Sequence, residues 1–244
     1  MVSYPSVKNR SRTKPNGKKR KSLTYKSMLL ILACVLSVLI TAIFIRLYFH
    51  SGRRMEALSR ELVDLRSAMN IDSVRQHKIQ KVLAIITRYN PSLSSMEAYD
   101  IAGSIYEMSI KYTNLDVDLL CAVITHESAK TWDPRIVSKD GAMGLMQVMP
   151  VTGMFVANYE GLTWTTPEEV LFNPVYNIRL GSRLLSSLIE KYNLEGALIA
   201  YNGGEKLAAT WLTNGRDSNT LWKETREYVP AIQTLYKNYL SEKL

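Results

Sequence analysis

The sequence predicts a predominantly α-helical protein: a membrane-crossing helix, a short helical stalk, and one all-helical domain. Three observations carry this. Met28 to Ile45 is eighteen residues without a charge, long enough to cross a bilayer. From residue 76 onward apolar residues recur at helical spacing, and no stretch sustains strand alternation. Self-similar repeats are absent, which excludes a solenoid. A chain of 244 residues, 46% apolar and 22% charged, holds one domain of good core size plus attachments. That leaves room for one active site.

The net charge of +9 suggests nucleic acid until its distribution is read. Lys8, Arg10, Arg12, Lys14, Lys18, Lys19, Arg20, Lys21 and Lys26 supply all of the excess before residue 28, with no acid among them. Residues 28–244 hold 22 basic and 22 acidic residues, so the body is neutral and no nucleic-acid partner is expected. Residues 1–27 also carry Pro5, Pro15, Asn16 and Gly17 without apolar periodicity, and read as a basic disordered tail. The anchor runs over 28–49, gaining Leu47, Tyr48 and Phe49 once Arg46 snorkels toward head groups. The basic flank places the N-terminus in the cytoplasm and everything beyond about residue 50 on the far side of the membrane. A cleaved signal peptide fits less well, because Phe44-Ile-Arg-Leu-Tyr-Phe49 is bulky where a small-residue site would be needed. A lipidation site at Ile31-Leu-Ala-Cys34 is disfavoured because the apolar run continues past it. Cys34 in the anchor and Cys121 in a core helix offer no disulfide framework.

Residues 50–75 form the stalk. Met55, Leu58, Leu62, Leu65 and Met69 follow a 3-4-3-4 spacing, and in that register Glu61 and Arg66 stand at g and the following e positions. Two readings stay open: a helical stalk that packs on its own domain or stays solvated, and a parallel coiled-coil dimer through residues 55–69.

The domain from 76 to 244 opens with Ile79, Val82, Leu83 and Ile86 on one stripe, which stops before Asn90-Pro91. Ser94-Ser-Met-Glu97 is a capping box, starting a helix to about Tyr112 with Ala98, Ile101, Ile105 and Met108 inward. Further helices are expected over about 118–128, 150–159, 167–171, 175–192, 195–202, 205–213 and 224–240. Residues 132–146 read as loop with room for a short hairpin.

One acid stands out. Leu120, Val123, Ile124 and Glu127 fall at i, i+3, i+4 and i+7, one helix face, so the carboxylate points where the apolar side chains point. Desolvation there favours the neutral form, the state a general acid needs near neutral pH. On this pattern alone a structural glutamate at a helix end, satisfied by a loop backbone, is the favoured reading. His126 points about 100° away around the helix and is expected at the rim or in packing. His50, His77 and His126 are scattered with no Cys or acid at ligand spacing, and phosphate-binding glycine loops are absent, so neither metal nor cofactor is expected.

Glu127-Ser128, Trp132-Asp-Pro134, Ser138, Gly141-Ala-Met-Gly-Leu-Met-Gln147, Met149-Pro150, Asn173-Pro174, Asn177-Ile178, Gly181, Ala200-Tyr-Asn-Gly-Gly204 and Glu224-Thr-Arg-Glu-Tyr-Val229 appear in the order of one family. Over roughly 95–240 the chain resembles the soluble lytic transglycosylase (SLT) domain, with a lysozyme-like fold of the goose-type lysozyme class. The resemblance implies an enzyme that acts on peptidoglycan glycan strands. It cleaves the β-1,4 bond between N-acetylmuramic acid and N-acetylglucosamine and leaves 1,6-anhydro ends. Glu127 would be the single catalytic acid and base, and none of Asp133, Asp140, Glu224 or Glu227 matches a second catalytic position. Ser138, Gln147, Met149, Tyr201 and Asn202 would line the substrate cleft, with Gln147 and the backbone of residues 144–147 bonding the sugar acetamido groups. Glycines at 141 and 144 would let that backbone approach the substrate. Tyr228 would orient Glu127. Plainer readings stand beside these: a helix C-cap at Asn202-Gly203-Gly204, core filler at Met146 and Met149, and a buried phenol at Tyr228. Ala129-Lys-Thr131 makes the loop between Ser128 and Trp132 about two residues longer than the family pattern. With the anchor, the resemblance implies a single-pass protein of the bacterial inner membrane, its catalytic domain in the periplasm and its bilayer contact through 28–49. A hydrolytic lysozyme on the same fold and an inactive peptidoglycan-binding scaffold are the alternatives.

Overall fold

A computed structural model describes residues 25–242. The basic tail expected at 1–27 therefore lies outside the described residues up to position 24, and Tyr25 to Ser27 already belong to helix α1 (Tyr25–Tyr89). The chain divides into two compact units, residues 1–66 and 67–244.

In the first unit α1 carries the apolar run. It is long and apolar enough to cross a membrane. Its side chains, such as Leu30, Leu39 and Phe44, are exposed. Further along α1, Met55, Leu58, Leu62, Leu65 and Met69 are all exposed as well. An i,i+4 pair, Arg60 to Glu56 at 3.7 Å, lies among the exposed charges of this stretch.

The second unit is built from the last turns of α1 and seven further helices: α2 (Ser95–Lys111), α3 (Val117–Glu127), α4 (Pro150–Glu160), α5 (Pro167–Leu171), α6 (Pro174–Gly203), α7 (Glu205–Thr213) and α8 (Lys223–Ser241). Local chemistry sets their ends. Tyr89 ends α1 at Asn90-Pro91, and Ser94 Oγ accepts from the Glu97 amide at the start of α2. Asp116 caps α3 by accepting from the Leu119 amide at 2.8 Å. Prolines occupy the first turns of α4, α5 and α6, where the missing N–H has no intrahelical partner to lose. The expected break between helices at 192 and 195 appears as a kink inside α6, where Asn193 takes φ 60°. Among the described residues the loop at 132–149 forms only isolated bridges, Val137 to Met143 and Met143 to Val148, in place of a hairpin.

The core differs from the one-face expectation at α3. Every residue from Val117 to Thr125 is buried, because α2 and α8 both pack on this helix. It is the central rod of the unit, and its last residue is Glu127. Fixing it required burying polar groups with partners. Lys81 on α1 lies 2.7 Å from Asp118 on α3, and its Nζ donates to the Tyr239 carbonyl on α8 at 2.5 Å. Lys78 reaches the same carboxylate only at 4.0 Å. Trp132, fully buried, donates from Nε1 to Thr125 Oγ1 at 3.0 Å, and that hydroxyl also pairs with Tyr239 at 2.9 Å. A second buried carboxylate, Glu160 at the end of α4, takes bonds from Lys111 and Tyr112 and pairs with Arg179 at 3.5 Å.

Breaking a buried ion pair from one side leaves an uncompensated charge. Lys81→Met should therefore cost about 3–5 kcal/mol by thermal or denaturant unfolding, and adding Asp118→Leu should recover most of that loss.

Candidate active site

Glu127 sits where the buried rod α3 meets solvent, and its side chain is partly exposed. Tyr228, buried on α8, donates its phenol to Glu127 Oε1 at 2.5 Å. Burial pushes the Glu127 carboxyl up to about 7; the Tyr228 bond pulls the other way, and the charge of Glu224 adds to the rise. Burial, followed by the charge of Glu127, holds the phenols of Tyr228 and Tyr201 well above their ordinary range, so both remain neutral donors. His126 packs edge-on against Tyr228, ring centroids 4.8 Å apart, and burial together with Lys130 pushes its imidazole below the usual range.

Two of the other predicted residues, Tyr201 and Asn202, tie α6 to the neighbouring loop and to α8. Tyr201 on α6 donates to the Met146 carbonyl at 2.8 Å, tying α6 to the loop at 143–148. Asn202 accepts from Thr225 on α8 at 2.7 Å, three residues before Tyr228. Gln147, at φ 46°, donates from Nε2 to the carbonyls of Gly144 at 2.8 Å and Ile136 at 3.3 Å. Its Oε1 takes no bond among the described residues. The amides of Gly144, Met146, Gln147 and Val148 all donate within the protein. The expectation that this loop's backbone binds substrate thus loses these four amides, while the Leu145 amide takes no partner among the described residues. Ser138 closes the turn to Ala142, accepting at Oγ from the Ala142 amide at 3.0 Å. Met149, exposed, is the N-cap residue of α4. Neither Ser138 nor Met149 has a hydrogen bond to Glu127 among the described residues.

The sequence reading assigned no role to Asn177, which organises the loop. Fully buried on α6, it accepts from the Met146 amide at 2.8 Å and donates to the carbonyls of Met143 at 2.8 Å and Leu171 at 3.0 Å. Gly144 is glycine because of it. At φ +77° a Cβ there would stand 2.3 Å from Asn177 Nδ2 and 2.4 Å from the Leu171 carbonyl. The pressure on this position comes from the protein interior, where the sequence suggested close approach of substrate. Gly181 is set in the same way, its absent Cβ making room for Met146 at 2.6 Å. An amide side chain on the inner face of a helix, four residues after the Asn173 cap, was the available signal.

The loop after Glu127 is tight. Ala129, Lys130 and Trp132 take φ of 51°, 63° and 49°, each costing on the order of 1–2 kcal/mol in an L-residue. Return bonds offset the cost: Lys130 N to Thr125 O at 2.8 Å and Trp132 N to Ser128 Oγ at 3.1 Å.

Residues 105–221 match the family model of the Transglycosylase SLT domain. The matched residues take in α3 to α7 and stop just before α8. The unit is predominantly α-helical, as expected from the sequence. Within the matched residues and α8 lie Glu127, Gln147, Tyr201 and Tyr228. The Putative soluble lytic murein transglycosylase of Haemophilus influenzae is 32% identical over 137 residues, 52% of this chain and 23% of its own length. Membrane-bound lytic murein transglycosylase C of Shigella sonnei is 26% identical over 195 residues, 68% of this chain and 53% of its own. The chain thus spans between about a quarter and about half of these relatives. Among solved structures, an inactive mutant of the lytic transglycosylase Slt from Pseudomonas aeruginosa aligns at TM-score 0.49 and 28% identity, over 56% of this chain and 23% of that one.

The raised carboxyl of Glu127 makes a prediction that needs no substrate. Below pH 4.5 the group is protonated in folded and unfolded chains alike; above about 7 it is ionised in both, and the folded state bears the penalty. Glu127→Gln cannot ionise. Its stability relative to the parent should rise by about 3 kcal/mol between pH 4 and pH 8, read from paired melting curves.

Proposed function

We propose that the chain is a membrane-anchored peptidoglycan lytic transglycosylase. Residues 76–244 would be its catalytic domain, and Glu127 its single acid and base. The observation that carries the reading is a carboxyl held near 7 by burial, with one oxygen already engaged by Tyr228. Because the phenol donates to Oε1, the reactive proton belongs on Oε2. From there it passes to the oxygen bridging N-acetylmuramic acid and N-acetylglucosamine, and the C1–O bond breaks. The carboxylate so formed takes the proton of the muramoyl C6 hydroxyl while that oxygen bonds to C1, closing the 1,6-anhydro ring and restoring the acid. Atoms balance without water and without a second carboxylate. Gln147 Oε1 suits the N–H of an acetamido group, and Ser138, Met149, Tyr201 and Asn202 line the path of the glycan strand. The exposed apolar run of α1 and the basic tail support an inner-membrane anchor through 28–49, with the domain on the periplasmic side. The exposed seam at 55–69 fits a solvated stalk and a parallel dimer alike.

One observation favours a hydrolytic rival: the charge of Glu224, on the first turn of α8, reaches Glu127, and such an acid could activate a water. Digestion of purified peptidoglycan by the full chain in detergent, followed by mass analysis, separates the two. The lyase reading predicts anhydro-ended muropeptides, each one water lighter than a hydrolytic product. It also predicts loss of about 10²–10⁴-fold in rate for Glu127→Gln and little change for Glu224→Gln. Reducing-end products that vanish in Glu224→Gln would establish the hydrolase instead. Binding that persists with no turnover in the parent chain would establish a scaffold.

A further inference from the structure

Tyr228 serves Glu127 only while its phenol points at Oε1, and α8 alone does not dictate that rotamer. What stands against the ring is His126, the residue before the acid. The two rings meet edge to face, 4.8 Å between centroids and 78° between planes. This geometry sets the positive edge of one aromatic ring against the negative face of the other, which is the favoured arrangement. No hydrogen bond from the imidazole is present among the described residues, so the ring contact is the recorded interaction of this half-buried side chain.

The loop after Ser128 bears on the same ring. Lys130, held at φ 63° by its amide bond to the Thr125 carbonyl, is the cation whose charge reaches His126. The charged and titratable groups facing the imidazole are therefore Lys130 on the loop, Glu127 on α3, and Tyr228 and Glu224 on α8. Burial and Lys130 favour the neutral ring against the opposing pull of Glu224. A neutral imidazole places no cation beside Glu127, where one would stabilise the carboxylate and deplete the acid.

We infer that His126 is a positioning residue: its imidazole ring braces the Tyr228 ring and thereby holds the phenol on Glu127 Oε1. The kinetic consequence alone rests on the lytic transglycosylase reading.

The sign of the effect follows from the Tyr228 bond, which pulls the Glu127 carboxyl down. Releasing Tyr228 should let the carboxyl rise further and carry the alkaline limb of the pH–rate profile to higher pH. His126→Leu keeps bulk and removes the aromatic edge. In the full chain it should lower kcat about tenfold, leave KM within about twofold, and move the alkaline limb upward. His126→Phe, which restores an edge without a charge, should return both kcat and the limb toward the parent. A purely structural role would lower the melting temperature and leave the limb in place. The inference is overturned if His126→Leu keeps the parental kcat and limb, or if Phe is as defective as Leu. The melting gap between each His126 variant and its double variant with Glu127→Gln, followed against pH, reports the Glu127 midpoint without turnover. If the parent fails to cleave peptidoglycan, the proposed function falls, and this second readout still decides the role of His126.

Discussion

The structure depends on one conflict: Glu127 must be shielded enough from water to stay protonated near neutral pH, yet open to a polymer. An exposed glutamate would ionise near its ordinary value, and a sealed one could not meet a glycosidic oxygen. The conflict is resolved by position. α3 is buried on all sides through Thr125, and the acid follows two residues later, where the rod reaches the surface. Everything that immobilises α3 therefore also sets the chemistry of its last turn. The Asp116 cap, the Lys81 and Asp118 pair, and the knot of Trp132, Thr125 and Tyr239 act on the rod.

A second layer of polar contacts joins the acid to the loop that faces it. Tyr228 bonds Glu127, Thr225 bonds Asn202, Tyr201 bonds the Met146 carbonyl, and Asn177 gathers Met146, Met143 and Leu171. These bonds run in series from α3 to α8, from α8 to α6, and from α6 to the loop at 143–148. Buried polar networks of this kind are costly when partly satisfied, and here the loop amides other than that of Leu145 find their partners inside the protein. What is left outward-facing, the Gln147 carboxamide oxygen and the acid itself, is what a ligand would meet.

Helix boundaries were legible because their causes are local. Asn90-Pro91, the Ser94 box, and the prolines at 150, 167 and 174 each act within a turn or two of the boundary they set, and the helices begin and end beside them. Glu127 was legible as suspicious for the same reason, through spacing within one helix. Its partner was not, since Tyr228 lies 101 residues away and no spacing connects them; only the resemblance did. The one-face reading of α3 understated its burial because the covering helix α8 comes from the far end of the domain. Gly144 was legible as a special position, but its reason, the Asn177 side chain 2.3 Å from a missing Cβ, belongs to tertiary packing. The stalk seam was legible as a pattern, and a single chain leaves its residues exposed, which fits both readings made of it.

The account stands on the protonation of one carboxyl. A carbon-13 NMR titration of the Glu127 side-chain carboxyl, assigned by comparison with Glu127→Gln in the full chain, measures it directly. A midpoint near 7, well separated from the other carboxylates, is the predicted result. A midpoint near 4.5 would contradict it, leaving Glu127 an ordinary carboxylate at the end of a buried helix.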